Sequence, residues 1–310
     1  PSDDVVELEM AGNYLLIGMA DAGISRRDLS TGNWVATWNT GNWLLSDNIA
    51  DISSINGWVH ILAGDAVYSY NTTSFSFGSS WSLTDLQLSR EAGSSLIPWP
   101  NGGSRSPSDD SVLVGDGSGI YTALRPQLQG HGATTSPVTW PQIVLATGPS
   151  ATDMSDTVEL NGTLYIVAED TIERYKINQY SWDSPLNSPV GSALTTIATD
   201  GTSLFVGTEG DGVIQMSIDG ILTQSWDTSD GLSASEVSGI EYDPFTGLLA
   251  VIHPFSGMSL IDSNSTSVPQ TWTSQTGGLD SNRMNSLTVR GGIVYLGTED
   301  AGVERIDIGN

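Results

Sequence analysis

The chain has 310 residues, with 36 acidic side chains against 10 basic ones and a formal net charge of −26. An anionic surface of that size repels nucleic-acid phosphates and anionic lipid, which argues against both as partners and favours cations or cationic groups; the competing reading is solubility in a salty medium, where screening tolerates high net charge. Apolar residues make up 38%, no run of eighteen of them occurs, and there is no cysteine; this excludes a transmembrane helix, a disulfide framework and a thiolate metal site.

Taken in order, the chain repeats one local pattern. A short apolar strand ends in a tight turn, and the turn ends in a small residue or glycine that opens the next strand. The residues opening that strand are Ile24, Val67, Ile120, Ile172, Val213, Met258 and Val303. Their spacings are 43, 53, 52, 41, 45 and 45 residues, a period of about 44. The strand before the turn recurs as Leu15-Leu16-Ile17-Gly18, Val112-Leu113-Val114-Gly115, Leu204-Phe205-Val206-Gly207 and Val294-Tyr295-Leu296-Gly297. A fourth strand with a tryptophan near its end follows in most copies, at Trp38, Trp81, Trp140, Trp182, Trp226 and Trp272. A tryptophan recurring at one repeat position reads as a packing anchor between repeats.

Four antiparallel strands per repeat, forty to fifty residues long, predict an all-β, seven-bladed β-propeller in a single domain. One four-stranded sheet cannot bury both faces alone, whereas sheets set radially cover one another. The blades are expected at about 5–40, 49–83, 92–143, 154–186, 194–228, 237–274 and 284–308. No segment shows sustained helical periodicity. After Ile308 only Gly309-Asn310 follow, so the last blade is expected to be three-stranded or to be completed by a longer protein. On this reading the chain is a monomeric domain of a longer one.

The joints between repeats carry a second pattern. Asp230-Gly231-Leu232-Ser233-Ala234-Ser235-Glu236-Val237 leads into one first strand, and Gly278-Leu279-Asp280-Ser281-Asn282-Arg283-Met284 into another. Together with Val206-Gly207-Thr208 and Leu296-Gly297-Thr298, this resembles the two-component-regulator propeller repeat over about half of the chain. The resemblance implies a propeller of the kind found in extracytoplasmic sensor regions and cell-surface proteins, and it brings no catalytic residues.

Two sets of residues stand out as sites. The turns between second and third strands are acidic in almost every repeat: Asp21, Asp65, Asp116, Glu169 with Asp170, Glu209 with Asp211, and Glu299 with Asp300. Placed around one face they form an anionic ring, and Asp116, Glu209, Asp211, Glu299 and Asp300 are candidate oxygen ligands for calcium. The competing reading is that Asp and Gly are simply good turn residues. The second set lies in two long loops of the third repeat, where Trp99, Arg105, Arg125 and His131 make a candidate surface for a carboxylate, a protein or a glycan. The other reading is that these residues fasten the loops to each other.

The three histidines, His60, His131 and His253, fall in different repeats, with His253 read at the turn position where other repeats carry acids. No Ser-His-Asp arrangement follows from spacing. The function expected is therefore non-enzymatic recognition at an extracellular or cell-surface location. The alternatives are a carbohydrate-active lyase or hydrolase using carboxylates on one face, and a structural repeat of a larger surface protein. The sequons at Asn71, Asn161 and Asn264 agree with an outside location.

Overall fold

The computed structural model describes residues 2–55, 58–64, 66–72, 76–82, 95–99, 111–116, 119–124, 154–176, 179, 181–265 and 270–309. From 76 to 124 it describes the backbone alone. Among the described residues there is no helix, and every sheet is an antiparallel meander.

The first sheet holds β1 (Val5–Ala11), β2 (Tyr14–Met19), β3 (Gly23–Asp28) and β4 (Trp34–Trp38). The second holds β5 (Ile49–Ile55), β6 (Trp58–Ala63), β7 (Ala66–Asn71) and β8 (Ser76–Ser82). Next come β9 (Ser95–Trp99), β10 (Ser111–Asp116) and β11 (Gly119–Leu124), a three-stranded sheet. Three four-stranded sheets follow. They are β12 (Met154–Leu160), β13 (Thr163–Ala168), β14 (Thr171–Lys176) and β15 (Ser181–Asn187); β16 (Leu194–Thr199), β17 (Leu204–Thr208), β18 (Val213–Met216) and β19 (Leu222–Trp226); and β20 (Gly239–Asp243), β21 (Leu248–His253), β22 (Gly257–Asp262) and β23 (Gln270–Trp272). The last sheet has three strands, β24 (Met284–Arg290), β25 (Ile293–Thr298) and β26 (Val303–Asp307).

These are blades of the propeller type, and six are shown rather than the seven that the strand spacing predicts. The third repeat is the one described least. There, β9–β11 are described only by their backbone pairing, and the fourth strand expected near Trp140 lies outside the described residues.

The chain divides into two compact units. One contains the strands from Val6 to Leu124; the other contains Asp3–Val5 and the strands from Ser155 onward. Among the described residues, each core cluster is drawn from two consecutive sheets. Ile24, Trp38, Ile52, Ile61 and Tyr68 share one cluster between the first two sheets. Phe205, Val213, Trp226, Ile240 and Val251 share another between the β16–β19 and β20–β23 sheets. Second strands are covered on both faces, which is why β17 is buried at every position and reads as a continuous apolar run.

The glycine near the end of these second strands has a steric cause. A Cβ on Gly207 would lie 2.6 Å from Val237 Cγ1, one on Gly18 2.8 Å from Ile49 Cγ2, and one on Gly297 2.7 Å from Val5 Cγ1. A branched side chain fills the gap each time: Ile49 from the first strand of the next sheet, Val237 from the joint just before β20, and Val5 from β1.

A tryptophan holds one register position in four repeats, packs into a core cluster in three of them (Trp38, Trp226 and Trp272), and misses the position in one. Trp38, Trp81, Trp226 and Trp272 lie opposite the first or second residue of their third strands, at Ile24, Val67, Val213 and Met258. Trp226 is fully buried, and its indole N–H donates to Ser265 O at 3.0 Å. In the β12–β15 sheet the equivalent place, opposite Ile172, belongs to Leu186. Trp182 instead lies opposite Tyr175, with ring centroids 5.0 Å apart. The strand reaches the anchor place with Leu186, four residues after Trp182, so Trp182 pairs near the far end of β14 instead.

Candidate functional site

Some of the acidic turn residues are used by the protein itself. In the turn after β17, Thr208 Oγ1 donates to Gly212 O (2.9 Å) and accepts from the Asp211 N–H (2.8 Å). Thr298 does the same with Gly302 O and the Ala301 N–H, each at 2.9 Å. The Asp211 carboxylate accepts the Ser192 N–H at 3.0 Å, and Glu299 pairs with Arg283. Glu209 and Asp300 sit in the same two turns, and the Asp116 side chain lies outside the described residues. Among the described residues, no three acidic or histidine side chains come together as a metal site. The chemistry visible in these turns is therefore loop closure.

Of the other candidate set, Arg105, Arg125 and His131 lie outside the described residues, and Trp99 is described only as the last backbone position of β9. His60 is buried in β6. His253, expected in an acidic turn, ends β21 and takes the place that Thr208 and Thr298 hold elsewhere. Its Nδ1 lies 2.8 Å from Glu236 O, and its Nε2 lies 3.0 Å from Ser259 Oγ. Burial pulls its pKa down, so the ring is neutral and ties a joint to the sheet. Ser259 is fully buried, which leaves no approach for a substrate.

Carboxylates on first strands form a second internal device. Glu9 accepts the Ser54 N–H (2.9 Å), Asp156 accepts the Ile197 N–H (2.9 Å) and Thr196 Oγ1 (2.6 Å), and Glu241 accepts the Val289 N–H (2.9 Å). Each clasps the first strand of the next sheet. Burial pushes Glu9 up to about 7, against the opposing effect of its Ser54 hydrogen bonds, and raises Asp156 in the same way.

The open site is on the first sheet. A pocket of about 340 Å³ is lined by Met19, Ser25, Trp34, Thr37, Asn39 and Asp47, with Ala22 at its edge. Ser25 and Thr37 lie opposite each other on β3 and β4 and point away from the face that buries Trp38, because side chains alternate along a strand. Their hydroxyls are 3.5 Å apart. Trp34, at the start of β4, is 60% exposed, and the Arg27 guanidinium stands 5.8 Å from its ring centroid. Asp47 closes the joint by accepting the Thr40 N–H (2.6 Å) and Thr40 Oγ1 (2.9 Å), and the Asn39 side chain accepts the Gly41 N–H (2.9 Å). The polar rim is thus held by its own loop, and the aromatic wall is left open. Sequence reasoning missed Trp34. Its one signal was a tryptophan four residues ahead of the anchor Trp38, out of step with the repeat.

No protein-family model matches the chain, and no curated protein matches it. Among solved structures it is similar to the computationally designed Ika8 protein, with a TM-score of 0.65 at 14% identity over 98% of this chain and 83% of that one. At that identity the likeness speaks for the fold alone: a small-sheet repeat architecture of the propeller type.

Proposed function

We propose that the protein is a non-enzymatic recognition module, acting outside the cell or at its surface, and that it binds a sugar-sized ligand in the pocket over β3 and β4. One observation carries this reading: an exposed indole, Trp34, faces a pocket of about 340 Å³ whose other walls combine the apolar Met19 and Ala22 with the hydroxyl, amide and carboxylate groups of Ser25, Thr37, Asn39 and Asp47. That volume lies within the usual range of small-molecule sites, and an apolar wall with a few fixed polar groups is their usual lining. A sugar ring offers the matching surface, with C–H groups on its face and hydroxyls on its rim. The joint loop that holds Asn39 and Asp47 sits on a rigid sheet, the arrangement in which recognition residues are commonly carried. The resemblance of the joints to two-component-regulator propeller repeats supports the same class and an extracytoplasmic location, as do the sequons. Asn161 lies in the exposed turn between β12 and β13.

The test is a glycan and peptide array probed with the wild-type protein and with Trp34→Ala. Because Trp34 is largely exposed, its removal leaves the core intact. Binding to a subset of glycans, reduced at least tenfold by the substitution, is the expected result. Hits that ignore the substitution, or no glycan hits at all, would overturn the reading.

A further inference from the structure

The strongest unassigned surface is the outer edge of β26, in the last sheet. β26 pairs with β25 from Gly297↔Val303 to Ile293↔Asp307. The Thr298 N–H donates to Gly302 O and the Ile308 N–H to Gly292 O, at 2.9 and 2.7 Å. Antiparallel pairing alternates, so Gly302 O, the backbone groups of residues 304 and 306, and the Ile308 N–H face β25, while the Gly302 N–H donates to Asp3 O at 2.9 Å. Val303, Arg305 and Asp307 direct theirs outward. Among the described residues no strand pairs with that side.

The same side is occupied in the other complete sheets of this unit. Val213 and Gln215 of β18, which correspond to Val303 and Arg305, lie opposite Trp226 and Gln224 of β19. Met258 and Leu260 of β22 lie opposite Trp272 and Gln270 of β23. The glycine just before each third strand records that occupancy. Gly212 and Gly257 have φ of +75° and +76°, and a Cβ on either would lie 2.0 or 2.1 Å from the carbonyl oxygen of Trp226 or Trp272. Gly302 has the same φ, +75°, yet a Cβ there would meet nothing within 4 Å. The β26 edge therefore has the backbone form of a strand acceptor, open at the place where the tryptophan carbonyl sits in its sister sheets.

We propose that this edge binds an extended segment of another polypeptide by strand addition. The segment runs antiparallel to β26, with a tryptophan opposite Val303 and a glutamine or glutamate two residues earlier, opposite Arg305. Main-chain hydrogen bonds to Val303 and Arg305 supply affinity, and the alternate side chains supply selectivity. A glutamate opposite Arg305 adds a favourable cross-strand charge pair. This site is separate from the pocket over β3 and β4 and does not depend on it.

The test uses the full chain and a synthetic peptide with the sequence of residues 221–229, ILTQSWDTS, blocked at both ends. Amide exchange is followed by NMR as peptide is added. Saturable binding is expected, with the Val303 and Arg305 amides protected. Replacing the peptide's tryptophan by alanine is expected to weaken binding at least tenfold. Arg305→Pro removes one outward N–H without touching the β25 pairing, a change that edge strands tolerate. It too is expected to weaken binding at least tenfold, and Gly302→Ala is expected to do the same by filling the place of the incoming carbonyl. Failure to bind at millimolar peptide would overturn the proposal, as would protection confined to other strands or indifference to Arg305→Pro. Protection of β26 that grows with protein concentration in the absence of peptide would assign the edge to a second copy of the chain, and would overturn it equally.

Discussion

Gly212 and Gly302 provide a controlled pair for the packing argument. They hold the same position before the third strand and share a φ of +75°. Alanine at either site pays the strain of a left-handed backbone, about 1–2 kcal/mol. At Gly302 that is the whole cost, because a Cβ there meets nothing within 4 Å. At Gly212 the Cβ would stand 2.0 Å from Trp226 O and 3.1 Å from Trp226 C, backbone atoms that no rotamer change can move aside. β19 must then shift, and it carries a fully buried indole with it. Overpacking of this kind costs a further 1–3 kcal/mol or so. Gly212→Ala is therefore expected to destabilise by about 2–5 kcal/mol and Gly302→Ala by about 1–2. Urea denaturation of both variants with a common probe measures the difference. Equal destabilisation at the two sites would refute the role given to the tryptophan carbonyl.

Trp226→Ala should cost about 3–5 kcal/mol, since it empties a fully buried site and leaves Ser265 O without its indole donor; a loss below about 1 kcal/mol in the same denaturation assay would contradict the anchor role. Thr208→Val removes a buried hydroxyl that serves both Gly212 O and the Asp211 N–H, and should cost about 1–3 kcal/mol. Glu9 makes stability depend on pH. Its folded pKa, about 7, lies above the ordinary 4.5, so the folded state holds the proton more tightly. The resulting stabilisation is fully present below pH 4.5 and is lost as pH rises through about 7. The loss amounts to at most roughly 3 kcal/mol. Denaturation of wild type and Glu9→Gln at both ends of that window isolates this group from the general repulsion among the acids, which both proteins share. The variant should gain stability relative to wild type at the alkaline end, and a gap that does not change with pH would contradict the assignment.

Much of the fold is legible because its causes are short-range and repeated. Gly207 and Gly297 announce a close approach by a branched side chain, Val237 of a joint and Val5 of β1, and Gly212 and Gly257 announce a carbonyl behind them. Both constraints recur with the period and show in the residues themselves. The Trp182 expectation failed because the anchor place belongs to Leu186, four residues later on β15, and spacing could not tell which apolar residue of that strand would take it. The acidic turns were legible as acids but not as partners. That Asp211 is taken by the Ser192 N–H depends on where a joint nineteen residues earlier comes to rest. His253 looked like a turn residue and proved to be a buried neutral tie. Trp34 was hidden for the opposite reason. A single exposed indole has no period, and only the face it shares with Ser25 and Thr37 distinguishes it from the packing tryptophans.

The recognition reading stands or falls on the pocket over β3 and β4. Its most direct measurement is the dissociation constant of the tightest glycan found on the array, determined in solution for wild type and for Trp34→Ala. Truncating a well-packed aromatic contact typically costs more than 1 kcal/mol. A loss of affinity of at least tenfold, with unchanged urea stability, is the expected result. An unchanged dissociation constant would contradict the assignment of this pocket as the binding site.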